Sequence, residues 1–275
     1  MAAVLALTAA VCWGAGDFSG GLASRRSNPF RTIFLSYCVG LVLMVLVALG
    51  RGEKFTSLAD LGWGALAGLS GMVGIGFLFR GFTAGRMGIV APISAVLSAT
   101  LPVVFDTLTN GLPHELQLVG FGLALVGIWL LARPERLVGR PKGLGMAVLA
   151  GLGFGGFFIG LSQVNGNAVF WPLAAGRGAC VAVMAAIALT TRQRVILPKS
   201  PFGLYLLVGV LDVSGNLFFL LATQNGRLDV TAVLGSLYPA VTAFIAWLII
   251  KERMSRLQVF GVAAAVLAIA LITLY

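Results

Sequence analysis

Ten apolar runs, each close to the length of a bilayer-crossing helix, follow one another along the chain: 3–22, 30–49, 60–80, 88–109, 115–132, 144–162, 169–190, 202–223, 230–250 and 255–274. A hydrocarbon core about 30 Å thick takes roughly 20 apolar residues per helix. Inside it every backbone N–H and C=O must be bonded within the protein. Ten runs of this length therefore point to an all-α membrane protein with ten transmembrane helices. A membrane β-barrel would show alternating ten-residue segments, and the sequence has none. Only 10% of residues are charged and mean hydropathy is +1.01. No stretch between runs is long enough to hold a soluble domain.

The runs also repeat. At a shift of 141 residues Trp13-Gly14 falls on Phe154-Gly155, and Gly62, Leu66 and Gly68 fall on Gly203, Leu207 and Gly209. At the same shift Gly74 and Phe77 fall on Gly215 and Phe218, and Gly85-Arg86 falls on Gly226-Arg227. Leu116, Gln117 and Gly120 likewise meet Leu257, Gln258 and Gly261. The register slips by four at the prolines, Pro102 matching Pro239 at a shift of 137. The chain thus reads as two five-crossing units, 1–136 and 137–275. Five is odd, so the second unit enters the bilayer upside down. This inverted-topology repeat is a common plan among secondary transporters, with the site near the midplane between the halves. Two equivalent halves of opposite orientation can exchange conformations, which turns an opening on one face into an opening on the other. Residues 1–24 lack the basic start of a secretory leader, and the repeat makes them the first crossing.

A net charge of +10 does not indicate a nucleic-acid partner here. The basic residues stand at the ends of runs, with no basic face carrying interleaved aromatics. Loops after runs 1, 3, 5, 7 and 9 hold fifteen Lys/Arg, from Arg25, Arg26 and Arg31 to Lys251, Arg253 and Arg256. Loops after runs 2, 4, 6 and 8 hold three, Arg51, Lys54 and Arg227. The positive-inside rule places the odd loops in the cytoplasm and both termini outside. Cys12, Cys38 and Cys180 stand singly in apolar runs, and His114 lies in a polar turn; neither implies a metal, a disulfide or a cofactor.

Charges within the runs are few and costly, and such residues usually face a bundle interior or a wet cavity. They are Asp17, Asp106 near the end of run 4, Arg177 and Asp212. Asp106 reads as an interfacial residue and Arg80 as an end anchor. Asp17 shares a helix face with Trp13, with Gly16 and Gly20 leaving room beside it. Asp212 shares one with Asn216. Arg177 lies between glycines in AAGRGAC. Two readings stand. An Asp–Arg pair could lock helices together. Alternatively, carboxylates and a guanidinium fork could take the ammonium and carboxylate of a zwitterion, with Asp17 or Asp212 a candidate carrier of a coupling proton. Pro102 and Pro239 lack an N–H, which frees the carbonyls of Ser98 and Gly235. Their matched positions suggest paired helix interruptions at the site. Trp13, Phe154 and Tyr238 are candidates for an aromatic wall. The glycine pairs Gly64/Gly68, Gly151/Gly155 and Gly156/Gly160 suit close helix packing.

The 5+5 repeat, Trp13-Gly14 in the first run, prolines within runs 4 and 9, and Glu115 and Glu252 at the start of each half's last hairpin resemble the drug/metabolite transporter superfamily. The closest likeness is to its ten-span EamA-type exporters. The resemblance implies export of small metabolites, amino acids foremost, across a bacterial inner membrane. Within that group the chain is most similar to aromatic amino-acid exporters. Asp17 and Arg177 match no motif of the family and rest on the bilayer argument alone. A lipid or drug flippase would share the architecture. Gly14-Ala15-Gly16-Asp17 fits the G-x-G-D motif of intramembrane aspartyl proteases. The Tyr-Asp and Pro-Ala-Leu elements such enzymes need are missing, since the candidates are Leu211-Asp212, Phe105-Asp106 and Tyr238-Pro239-Ala240-Val241. The reading is a transporter, not an enzyme.

Overall fold

The computed structural model describes residues 1–25, 29–84, 87–132, 143–192, 202–251 and 255–274. Among these the chain forms helices α1 (Ala2–Arg25), α2 (Pro29–Gly50), α3 (Leu58–Ala84), α4 (Met87–Asn110), α5 (Glu115–Ala132), α6 (Leu144–Ser162), α7 (Phe170–Thr190), α8 (Phe202–Gln224), α9 (Leu228–Gly235), α10 (Tyr238–Ile250) and α11 (Arg256–Thr273). Nine segments are long and apolar enough to cross a membrane, α9 and α10 together making one of them. The shorter α5 supplies a tenth crossing, with its apolar part at Glu115–Leu130. The boundary between the halves at 136/137 lies outside the described residues. So do Arg26, Arg86, Arg133, Arg136, Arg140, Lys142, Arg194, Lys199, Arg253 and Glu252.

The two halves do not fold as separate bundles; their helices interleave. α1 packs on α8, and its repeat counterpart α6 packs on α3. α4 packs on α6, as α9 and α10 pack on α1; α3 packs on α7, as α8 packs on α2. The remaining main contacts join counterparts directly, α2 with α7 and α5 with α11. Exchanging the halves reproduces the same set of contacts, as a pseudo-two-fold axis requires.

The symmetry holds at single residues. Gly74 lies under Phe154, so that a Cβ there would fall 2.9 Å from Phe154 Cδ1. Its counterpart Gly215 lies under Trp13, where a Cβ would fall 2.5 Å from Trp13 Cδ1. The aromatic–glycine pairs that the register aligned in sequence are thus also paired in space, once in each orientation. Only a residue without a side chain lets these rings reach the helix backbone.

One apolar core joins α1, α2 and α3 to α6, α7 and α8 around Phe158, Leu161, Val213, Phe219 and Leu220. A second joins α1, α4 and α5 to α9 and α11 around Phe121, Ile128, Leu234 and Ile272. Large apolar side chains such as Leu46, Leu108, Leu189, Phe260 and Leu267 point outward. In water such a surface would aggregate; in a bilayer it is solvated by lipid tails.

Candidate functional site

α1 carries both Trp13 and Asp17 on one face, and that face turns inward. A Cβ on Gly16 would lie 3.6 Å from Leu211 Cβ and 3.8 Å from the Asp212 amide N. The two helices therefore run side by side at the level of Asp17 and Asp212. Asp17 is solvent-accessible. Asp17 is an electrostatic neighbour of Asp212 and of Tyr238 on α10. Among the described residues no donor hydrogen-bonds or ion-pairs to it.

Arg177 does not turn to Asp17. Its Nη2 lies 2.6 Å from Asp212 Oδ2, and its guanidinium stacks over the Tyr37 ring at 4.6 Å from the centroid. The stem passes Gly40, where a Cβ would come within 3.5 Å of Arg177 Cδ. The pair thus ties α7 to α8 with α2 as its lid. The Arg177 side chain is only 8% exposed against 29% for Asp212, so the partly open end of the pair is acidic. With Asp17 alongside, the cluster holds two carboxylates and one guanidinium. Among the described residues its unpaired member is Asp17.

The aromatic surroundings differ from the expected wall. The Trp13 Nε1 donates to Asn216 Oδ1 at 3.0 Å. Its ring packs against Phe157, Phe158 and Phe219, with centroids 6.2, 5.7 and 5.6 Å away. Phe154 instead sits on Gly74 on the counterpart face. Tyr238 is half-buried beside Gly14, where a Cβ would meet the Tyr238 carbonyl oxygen at 2.7 Å. The Thr242 hydroxyl donates to the carbonyls of Gly14 and Tyr238, both at 3.1 Å. Phe157 and Phe158 hold the register positions of Gly16 and Asp17 in the first half. The repeat therefore had the signal: where one half places a carboxylate, the other places the ring that packs against Trp13.

The two prolines part company. α4 runs unbroken through Pro102. Pro102 and Ser98 are buried, and the Ser98 hydroxyl donates back to the Ala95 carbonyl at 2.8 Å. The ninth crossing does break, between α9 and α10 at Ser236–Leu237. Pro239 then lies in the first turn of α10, where a missing N–H costs nothing. The break touches the aromatic cluster, since a Cβ on Gly235 would fall 3.4 Å from Trp13 Cζ3 and 3.3 Å from Phe219 Cδ2. The paired interruption expected at both prolines is present only in the second half. Among the ten residues named from sequence, the structure brings Trp13, Asp17, Arg177, Asp212, Asn216 and Tyr238 together between α1, α7, α8 and α10, with Pro239 next in chain to Tyr238. Ser98, Pro102 and Phe154 lie on the counterpart side, in packing.

A second polar cluster was not legible in sequence. Asp106, expected at an interface, is 1% exposed. Its Oδ1 accepts from Asn110 Nδ2 at 2.7 Å, and Arg227 Nη2 stands 3.5 Å from its Oδ2. Arg227 also holds Asp229, which is wholly buried at the start of α9. The signal was Gly-Arg-Leu-Asp at the head of the ninth run, masked by the apolar residues that follow. On the same face Glu53 accepts from the Val169 and Phe170 amides at the start of α7. Asp60 accepts from the Asn165 amide at 2.8 Å.

The sequence profile of the EamA-like transporter family matches residues 1–133 and, a second time, 141–274. A solved crystal structure of a protein superposes with a TM-score of 0.83, covering 99% of this chain and 98% of the other, at 16% identity. At that identity the likeness concerns the fold alone. No curated protein matches the chain.

Proposed function

Because the chain belongs to the EamA-like transporter family, and is thus a multi-pass membrane transporter of the drug/metabolite superfamily, we propose that it exports small metabolites bearing an ammonium group on an apolar body. Amino acids with aromatic or large apolar side chains are the foremost candidates. The observation that carries the reading is Asp17: a solvent-accessible carboxyl on a membrane helix, beside Asp212 and Tyr238, with no hydrogen-bond or ion-pair partner among the described residues. An ionised carboxylate in a low-dielectric setting is the natural counter-charge for an ammonium group. Trp13 and Tyr238 beside it offer aromatic faces to the same cation or to an apolar side chain.

Arg177 refines the reading. Asp212 already occupies the edge of its guanidinium, so a substrate carboxylate must compete with Asp212 for the fork. Transport follows alternating access, one face opening as the other closes around the pseudo-two-fold axis. The loop charges favour odd-numbered loops in the cytoplasm and both termini on the periplasmic side of a bacterial inner membrane, and export runs from the first side to the second. Asp17 and Asp212 are the candidate carriers of a coupling proton.

The test uses purified protein in liposomes loaded with phenylalanine, leucine, phenethylamine or glutamate, with and without a proton gradient. Wild type is expected to release the first three and not glutamate, and Asp17→Asn to lose that release. Release by Asp17→Asn at the wild-type rate, or none of these compounds moving in wild type, overturns the substrate assignment.

A further inference from the structure

The loops after crossings 2, 4, 6 and 8 share one face of the protein, and that face is closed by polar bonds between the halves. The firmest of them centres on Arg227. Its Nη2 donates to the Gly111 carbonyl at 2.8 Å and to Asp229 Oδ2 at 2.9 Å, and stands 3.5 Å from Asp106 Oδ2. Its Nε donates to both Asp229 oxygens at 3.2 Å. The Asp229 amide in turn donates to Asp106 Oδ2 at 3.3 Å. One guanidinium thereby pins the start of α9 in the second half to the end of α4 and the following turn in the first. Both carboxylates are buried while Arg227 is one-third exposed, so it covers them like a cap. Charge-assisted bonds of this kind are about twice as strong as neutral ones.

The repeat shows that this device is not duplicated. Arg227 has a counterpart, Arg86, since Gly226-Arg227 repeats Gly85-Arg86. The acids do not. The counterpart of Asp229 is Gly88, and that of Asp106 is Ala243 or Trp247, depending on which register is applied. An inverted repeat with identical halves would make its two closed states equal in energy. A bond network made in one of these states shifts the population toward that state.

We propose that Arg227, Asp106 and Asp229 form a latch that holds the face of the even-numbered loops shut and so favours the state that opens on the opposite face. The proposal rests on the alternating-access reading but not on any substrate. Opening that face needs the end of α4 and the start of α9 to part, and these belong to the two crossings that the register pairs through Pro102 and Pro239.

Hydrogen exchange on the intact protein in detergent, read by mass spectrometry without substrate, tests it. Asp106→Asn keeps the shape of the site and leaves Arg227 with Asp229, so the fold survives. It is expected to speed exchange of α9 and α4-end amides by roughly tenfold, the fold-change of one charge-assisted hydrogen bond. Amides in the middle of α3 and α6 stay at wild-type rates, which separates opening of this face from global unfolding. Arg86→Gln leaves α9 exchange unchanged. Unchanged α9 and α4-end exchange in Asp106→Asn overturns the latch, and so does equal acceleration by Arg86→Gln. Because the readout needs no transported compound, a failed efflux assay leaves this result standing, and a failed latch leaves the efflux result standing.

Discussion

Replacing Gly68 with alanine tests the contact on which the interleaved packing depends. A Cβ at this position would lie 2.6 Å from the Gly176 carbonyl oxygen and 2.7 Å from Gly176 Cα. Both atoms belong to the α7 backbone and cannot swing aside as a side chain would. α3 and α7 must therefore separate by several tenths of an ångström, and overpacking of this kind costs about 1–3 kcal/mol. Alanine also regains up to ~1 kcal/mol of helix propensity, which would hide part of the loss. Gly62→Ala supplies the correction: it lies on the same helix with no atom within 4 Å of the added Cβ. The difference between the two variants isolates the clash. At ~2–4 °C per kcal/mol for a chain of this size, Gly68→Ala should melt roughly 2–12 °C below Gly62→Ala. Intrinsic tryptophan fluorescence of detergent-purified protein on heating gives the reading. The repeat extends the expectation to Gly209→Ala, whose Cβ would fall 2.7 Å from the Ser36 carbonyl oxygen. If Gly68→Ala melts with Gly62→Ala or above it, the helices do not meet backbone to backbone and the packing argument is wrong.

Other expectations follow from the polar site. Arg177→Met should destabilise by about 3–5 kcal/mol because it strands Asp212. Arg177→Met with Asp212→Leu should recover most of that in the same melting assay. Trp13→Phe should cost about 1–3 kcal/mol by leaving Asn216 unbonded, and a double-mutant cycle with Asn216→Leu should show coupling between the two positions. Asp17→Asn should leave stability within about 0.5 kcal/mol of wild type, since no hydrogen bond is lost, while efflux falls. A large drop in melting temperature for that variant would make Asp17 a structural residue.

Asp17 and Asp212 illustrate why the site could be half read. A carboxylate amid apolar residues is conspicuous in any sequence, because burying an uncompensated charge is expensive, so both were visible as candidates. Their partners were not. Arg177 stands in run 7 and the acids Asp17 and Asp212 in runs 1 and 8, and sequence spacing alone left both pairings open. Asp212 wins because α7 and α8 each pack on α2, and Tyr37 on α2 then roofs the guanidinium. Trp13 was visible for its position next to Gly14. The register aligned it with its counterpart, Phe154, whereas the rings packed on it are Phe157 and Phe158 from the following turn of α6 and Phe219 from α8.

Span length, span number, the five-crossing unit and its inversion are written in the linear sequence. They arise from local hydrophobicity and from a shift that nearly every matched position obeys, and neither needs a contact map. The positions that must be glycine were also legible, since the register pairs Gly74 with Gly215. What the sequence could not specify is where pseudo-symmetry fails. Asp17 is solvent-accessible while its counterpart Phe158 packs in the core. The ninth crossing breaks while the fourth runs straight. Arg227 bridges Asp106 and Asp229, whose register positions in the other half hold Ala243 or Trp247 and Gly88. Each of these depends on which side chains three or more helices bring to one point, and such convergence has no signature in the sequence of any single helix.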